Sequence, residues 1–528
     1  MQKRTLIIGS GPCAQNIAEG LLEKNVEIII AAKDKKPVLI LSTHKKQRSP
    51  EILTQTRVLE CRGSVGNFTV FMEQHGKKIE RNAANIVIAE EDRRESNFPL
   101  YGLSPSSCII SLSRIRGLLN SLQQADLLSK ARKIVFLTGL SRESNPVIAE
   151  EIMLSAFDLQ SEFKKQVYIL TKNLKVGGDD LEALYRRTKD AGVVYIKFSS
   201  AFPLIDRKEN GKVGIVFYDE ITRQQFRLTP DITVVDETIA PSENLSELAK
   251  ILKVDRDDTG FIQADNVHRM SVYTNRKGIM VAGSSRDVQS AEGNRMDASN
   301  AALSGFELLG DKVPGSENKA EINPSRCVRC LTCYRLCPYR AIELNTKPAV
   351  VPEACEGCGI CAAECPKETI DIKGLSGSDV SNKIMKPDFD KGEKVFVPFI
   401  VAFCCTRSAG RAWELSSGTE YNLPSGLNII EVPCAGSISY DHIFSAFKKG
   451  ADGVMVLTCH KGNCHSEHGN IYAHQRAYRV FDFLKQMGFK KERFVVKTIA
   501  ANMAAEFSLI TSKFENQIIG LGASKIKS

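Results

Sequence analysis

Two runs of cysteines carry most of the chemistry this chain could do. The first is Cys327, Cys330, Cys333 and Cys337, followed by Pro338; the second is Cys355, Cys358, Cys361 and Cys365, followed by Pro366. Both repeat the spacing C-x2-C-x2-C-x3-C-P. Gaps of two residues turn successive side chains into one hollow, and four thiolates gathered there can hold a cubane iron–sulfur cluster, a one-electron carrier. The plainer use of paired C-x2-C units is structural zinc. Zinc sites seldom need eight sulfurs in two runs that each end in proline, so the spacing points to iron.

This spacing resembles that of the bacterial two-cluster ferredoxins. The resemblance implies that the fourth cysteine of each run ligates the other cluster. Cys327, Cys330, Cys333 and Cys365 are then expected on one 4Fe-4S cluster, and Cys355, Cys358, Cys361 and Cys337 on the second. The fourth cysteine of each run is expected at a helix start.

A third set of sulfurs lies nearer the C-terminus. Buried strands are expected at 395–403, 427–432 and 453–458, with helices at about 440–449 and 470–487 and a fourth strand at 494–499. Cys404 and Cys405 end the first strand, Cys434 follows the second, and Cys459 and Cys464 follow the third. In a parallel α/β sheet the strand C-termini share one edge, where ligands gather. The expectation is a 2Fe-2S cluster on Cys405, Cys434, Cys459 and Cys464, with Cys404 as a rival for the first place. Zinc or unligated thiols are the plainer readings. His460 and His465 flank these sulfurs and are read as neighbours rather than ligands, because the sulfurs suffice.

The chain that must position these groups has 528 residues, too many for one core, so about three or four domains are expected. Its 43% hydrophobic and 25% charged content is ordinary for a globular protein. Thirteen of the sixteen cysteines follow residue 320, which is not the spread of a disulfide framework; metal-holding thiolates suit a reducing, cytoplasmic setting. There is no apolar run long enough for a membrane helix, so any membrane contact is expected through a partner. The start of the chain is read as a first strand rather than a signal peptide. The net charge of +9 is modest and shows no basic stripe, so nucleic acid is not an expected partner.

The N-terminal region reads strand, glycine turn, helix, strand: residues 4–9, then Gly9-Ser10-Gly11-Pro12-Cys13-Ala14 opening a helix to about Leu22, then Val26 to Ile30. This is the first unit of a Rossmann fold, with Gly9, Gly11, Pro12, Cys13 and Ala14 as candidate contacts to a dinucleotide such as FAD. The ribose-binding acid that usually closes the second strand is absent at Ile30 and Ala31, and Asp34 comes late. Cys13 is read first as a small buried side chain. Further strands and helices alternate at 133–139, 147–163, 167–170, 181–191 and 193–196, which implies a second parallel sheet. The strand ending Ala282-Gly283 returns towards the flavin position, with Ser284 where an Asp is usual, so Gly283 and Ser284 join the candidate contacts.

Residues 1 to about 375 resemble the A-type subunit of heterodisulfide reductase. The resemblance rests on Tyr101-Gly102-Leu103-Ser104, on Leu181 to Arg187 with Ala191-Gly192-Val193, on Gly260-Phe261-Ile262, on Gly278 to Gly283, and on the two cysteine runs. It implies a thioredoxin-reductase-type flavoprotein with ferredoxin inserts. Residues 394–528 resemble the delta subunit of methyl-viologen-reducing hydrogenase, through Cys405 with Ser408-Ala409, Pro433 to Gly436, Gly450 to Val454, and Cys459 to His465 with Gly469-Asn470. The fusion of the two resembles the B-type subunit of the quinone-interacting membrane-bound oxidoreductase family.

The expected architecture is α/β: a Rossmann-type two-dinucleotide flavoprotein fold with a two-cluster ferredoxin domain and a C-terminal parallel α/β iron–sulfur domain. The expected divisions are 1–318 (with a second dinucleotide-type segment at about 130–235), 319–374, a Gly/Ser/Asp/Lys-rich linker at 375–393, and 394–528. The expected function is an electron-transfer subunit relaying electrons between FAD, two 4Fe-4S clusters and a 2Fe-2S cluster in an anaerobic complex. Its partners would be heterodisulfide-reductase-like, hydrogenase-like or quinone-interacting redox subunits. No residue is singled out as a catalytic acid, base or nucleophile. The alternatives are a free-standing FAD-dependent NAD(P)H oxidoreductase, whose second phosphate turn would be Thr138 to Arg142, and a flavin-free iron–sulfur scaffold.

Overall fold

The computed structural model describes the chain apart from residues 1–3, 35–48, 121–124, 141–142, 173, 175, 179, 199–201, 208–212, 220–221, 263–269, 310–317, 387–395, 420 and 525–528. It forms two compact units: residues 1–90, 244–286 and 295–528 make one, and 91–243 with 287–294 make the other.

The first unit opens with a parallel sheet in the order Ile279–Val281, Asn85–Ile88, Arg4–Ile8, Glu27–Ala31, Glu51–Leu53. Its central strands end in apolar runs, at residues 6–8, 28–31 and 86–88, as strands covered on both faces must. Helix Pro12–Leu22 and the stretch of helix around Ala298, Ala301 and Ala302 share a core with Ile7, Ile30 and Val87. Small residues allow this close approach: a Cβ on Gly20 would stand 3.1 Å from that of Ala302. An antiparallel meander, Thr56–Ser64, Asn67–Gln74 and Lys77–Ala83, follows the sheet and was not expected from the sequence.

The second unit holds another parallel sheet, ordered Val194–Lys197, Gln166–Thr171, Lys133–Thr138, Ile232–Val235, Ile109–Ser111. Helix Pro146–Ser161 packs on it through Ile148, Ile152, Ala156 and Leu159, a helical stripe. The expected 130–235 segment lies in this unit.

Returning to the first unit, the paired cysteine runs sit among short antiparallel pairs, Ala320–Ile322 with Ile370–Ile372 and Ile342–Leu344 with Pro348–Val350. The fourth cysteine of each run does not start a helix. Cys337 ends helix Thr332–Leu336 with ψ of 110°, and Cys365 comes just after Ile360–Ala363. The reason is the next residue: a proline forces the residue before it out of the helical region.

The C-terminal region is a parallel sheet ordered Leu427–Val432, Ile400–Cys405, Gly453–Thr458, Phe494–Thr498. The first of these in sequence starts later than the expected residue 395, which lies outside the described residues; Pro398, with no N–H to give, precedes it. Helices Tyr440–Lys448 and Gly469–Gln486 cover one face; Ala409–Ser417 and Ala504–Leu521 cover the other. The stretch read as linker contains a helix, Gly377–Lys383. Its polar composition hid a capping box: Ser376 Oγ accepts from Asp379 N, and the Asp379 carboxylate accepts from Ser376 N. Val380 of that helix is fully buried in the C-terminal core. Residues 387–393 of the expected linker are outside the described residues.

Candidate metal centres

The two cysteine runs fold into matching turns. In each, the residues flanking the second cysteine take positive φ: Arg329 at 55° and Leu331 at 62° in the first, Gly357 at 63° and Gly359 at 81° in the second. Alternating left-handed residues curl backbone amides into a concavity suited to an anionic group. Cys327, Cys330, Cys333 and Cys365 line one small cavity of about 20 Å³, walled by Val328, Leu331, Pro348 and Ile370. Cys337, Cys355, Cys358 and Cys361 line a second of about 20 Å³, walled by Pro338, Tyr339, Ile342 and Ile360. Each quartet therefore takes three cysteines from one run and one from the other.

The crossed fourth cysteines share a further feature. Ala341 N donates to Cys337 Sγ and Thr369 N donates to Cys365 Sγ, both at 3.4 Å. Such amide donors favour the thiolate and tune a bound cluster. Against them stands burial, which pushes the Cys358 thiol up to about 12 and Cys361 well above its ordinary range. Cys330, exposed, is instead held low, first by a hydrogen bond from the Thr332 side chain. Buried thiols of this kind become thiolates when a metal takes the place of their protons.

The third quartet forms at the carboxyl edge of the C-terminal sheet. The first strand in sequence lies between the second and third, so the chain leaves it in opposite directions there, the usual place for a ligand crevice. Cys405, Cys434, Cys459 and Cys464 are all buried. Cys434 Sγ and Cys464 Sγ are 4.0 Å apart, and Gly436 N donates to Cys434 Sγ at 3.4 Å. Cys405 is lowered to about 6, first by the Cys459 thiol, with Ser408 contributing. Cys464 is lowered too, first by the Cys434 thiol, while Cys434 and Cys459, as the proton donors of these pairs, are raised. The Asn470 amide holds the loop by donating to the carbonyls of Cys459 at 3.1 Å and His460 at 2.8 Å.

Cys404 does not join this quartet. Strand alternation turns it to the opposite face, among Ala402, Ala409, Leu457 and Ile499, with its thiol 3.8 Å from the Ala402 carbonyl. Cys405 points to the other face with Val401 and Phe403.

The three quartets are not equally separate. Cys434, Cys459 and Cys464 form a small buried knot, and Cys358 of the second quartet packs against it. Glycines close the gap: a Cβ on Gly359 would lie 2.4 Å from that of Ser437, and one on Gly436 would lie 2.9 Å from Ile360 Cγ1. Arg476, almost fully buried, donates to Glu364 at 2.5 Å and to the carbonyls of Ile438 and Gly436. Sequence reasoning missed Tyr339 and Arg476, and named Gly436 and Gly469 only as part of the resemblance to the delta subunit. Tyr339 lies two residues after Cys337, which was the signal available for it; nothing marks Arg476. Among the described residues, no group of three or more His, Cys, Asp or Glu is arranged to hold a single metal ion.

The flavin candidates lie elsewhere in the first unit. Gly9 has φ of 143°, and a Cβ there would stand 1.9 Å from the Ala89 carbonyl oxygen, so its own chain already requires the glycine. Pro12 is exposed at the helix start after Gly11, and Cys13 and Ala14 are buried in the core with Ile7 and Ile17. Asp34 accepts from Ser10 Oγ at 2.5 Å, which ties the late acid to the glycine turn. Gly283 N donates to Asp297 at 3.1 Å, an acid also paired with Arg286 at 2.7 Å. Ser284 is buried beside Ser285, whose hydroxyl bonds both backbone atoms of Glu90. The Gly283 amide is thus already satisfied by a carboxylate. In the second unit, Gly139 N donates to Asp236 at 2.9 Å; Ser141 and Arg142 lie outside the described residues.

Residues 400–522 match the family described as methyl-viologen-reducing hydrogenase, delta subunit, and residues 319–366 match the 4Fe-4S dicluster domain. The chain is 32% identical over 130 residues to the D-type iron-sulfur subunit of the vhc F420-non-reducing hydrogenase of Methanococcus voltae, covering 25% of this chain and 90% of that protein. It is 26% identical over 352 residues to the A-type subunit of the ferredoxin:CoB-CoM heterodisulfide reductase of Methanosarcina mazei. That match covers 66% of this chain and 44% of the relative, so the chain spans less than half of the relative's length. Among solved structures, T. acidophilum thioredoxin reductase is similar with a TM-score of 0.39 and 16% identity, over 58% of this chain and 98% of that one.

Proposed function

Taking as premise that this chain belongs, through residues 400–522, to the methyl-viologen-reducing hydrogenase delta-subunit family, we propose that it is an electron-transfer subunit of a multi-subunit oxidoreductase. The region before it is similar to the A-type subunit of heterodisulfide reductase. Three cysteine quartets would hold two 4Fe-4S clusters and one 2Fe-2S cluster, each of which takes up and releases one electron when bound.

The observation that carries the reading is the packing of Cys358 against Cys434, Cys459 and Cys464. A docking module needs no such contact; a relay does. The first quartet, with exposed Cys330, would face a partner, the second would sit in the middle, and the C-terminal quartet would complete the line. The partners proposed are other redox subunits of hydrogenase-like, heterodisulfide-reductase-like or quinone-interacting kind, in an anaerobic cytoplasmic setting. No helix among the described residues is long and apolar enough to cross a membrane.

FAD at the Gly9–Ala14 turn would join two-electron to one-electron traffic. A flavin-free relay is the second reading, favoured by Asp297 on the Gly283 amide. A free-standing NAD(P)H oxidoreductase is disfavoured by Asp236, whose carboxylate sits on Gly139 N, where a phosphate would be needed.

The test is iron, sulfide, zinc and flavin per chain in protein purified without oxygen. About ten irons would support the relay. Zinc in place of the last two would remove the C-terminal quartet from the electron path. Flavin content decides between the two forms of the relay.

A further inference from the structure

The second quartet and the C-terminal quartet are joined by side chains that neither uses as a ligand. Tyr339 stands two residues after Cys337, and His465 and Ser466 directly follow Cys464. The Tyr339 hydroxyl lies 3.2 Å from His465 Nδ1, 3.2 Å from the His465 carbonyl oxygen and 3.1 Å from Ser466 Oγ. A tyrosine hydroxyl has one proton to give and lone pairs to accept with, so it donates to one of these and accepts from another. The ring of Tyr339 lines the second quartet's cavity beside Cys337. Covalent bonds thus tie Tyr339 to one quartet, and hydrogen bonds tie it to the loop carrying the other.

Packing alone would be met by phenylalanine. Tyr339 is 6% exposed, and a buried hydroxyl is costly unless it is bonded. Here the hydroxyl is bonded across the join, to His465 and Ser466.

We propose that Tyr339 is a positioning residue for one-electron exchange between the second quartet's centre and the C-terminal centre. It holds the Cys337 turn against the Cys464 loop and supplies a hydrogen-bonded path between them. The proposal rests on both quartets being iron–sulfur centres. In the step, one electron leaves one centre, which is oxidised by one unit, and enters the other, which is reduced by one. No bond forms or breaks and no proton moves. Tunnelling weakens steeply with the gap between centres, so a small loosening of this join slows the step.

The experiment uses the full chain, prepared without oxygen and reduced with dithionite, as wild type, Tyr339→Phe and Ser466→Ala. Iron and sulfide are counted. Magnetic coupling between the two reduced centres is read by electron paramagnetic resonance, and redistribution between them is timed after rapid partial reduction. Tyr339→Phe is expected to keep its iron, to show weaker coupling and to exchange several-fold more slowly. Ser466→Ala is expected to shift both readouts the same way by less. Wild-type coupling and exchange in Tyr339→Phe overturn the positioning role and leave the functional reading standing. If Tyr339→Phe fails to hold iron, Ser466→Ala decides by the same two readouts. A wild-type chain with no redox-active C-terminal centre overturns the reading and the proposal together.

Discussion

Cys358 and Cys464 come from segments on either side of the linker, yet Cys358 packs against the buried knot that contains Cys464. Burial raises the Cys358 thiol, and the charge of Cys464 raises it further. Ionising both thiols here is unfavourable without positive charge nearby. Iron at both quartets would relieve that repulsion and would set two electron carriers side by side.

The choice between Cys404 and Cys405 is open to direct test. Cys405→Ala is expected to lose about two irons, whereas Cys404→Ala keeps the full count. Cys404→Ala instead costs about 1–2 kcal/mol of stability, because it hollows the opposite core. Iron analysis and urea unfolding of both variants check this; iron loss in Cys404→Ala would falsify the assignment.

Gly469→Ala is expected to remove the C-terminal centre while leaving the two other quartets loaded. The added Cβ would stand 2.2 Å from Cys434 Sγ. Helix propensity alone would make this change mildly favourable, by less than the ~1 kcal/mol of a helix interior, since Gly469 is the first residue of its helix. A variant with its full iron count and raised stability would show that the sulfur has room to move.

Stability should fall on mild acidification through His442. Its Nδ1 accepts from Ser439 N at 3.2 Å, so Nε2 carries the proton and donates to the Leu375 carbonyl at 3.0 Å. Burial lowers its pKa below the ordinary 6.5. The folded state then binds fewer protons than the unfolded chain between these two values. The group's contribution is complete above 6.5 and is lost as pH falls below it, at no more than about 1.4 kcal/mol per pH unit. Urea midpoints followed from about pH 7.5 to about pH 5.5 should slope downward, and more steeply in wild type than in His442→Gln.

Arg476→Ala is expected to cost about 2–4 kcal/mol, because it leaves Glu364 and two carbonyls without their donor. Limited proteolysis should then cut between the paired runs and the C-terminal sheet sooner than in wild type. Equal cutting rates would mean that the glycine contacts alone hold the join.

The sequence by itself determined where the cysteine runs fall and most of the elements. Cysteine spacing is a local code, since two-residue gaps turn sulfurs inward whatever surrounds them, and apolar runs such as Ile400–Cys405 and Gly453–Thr458 declare buried strands. Tertiary structure decided what locality could not. It set Cys404 and Cys405 on opposite faces, because register, not composition, assigns a side chain to a face. It brought Cys358 against the knot holding Cys464, where glycines at 359, 436 and 469 leave room, and it brought Tyr339 to His465 and Ser466. Such contacts depend on shape matched between distant segments, and no spacing within one segment records them.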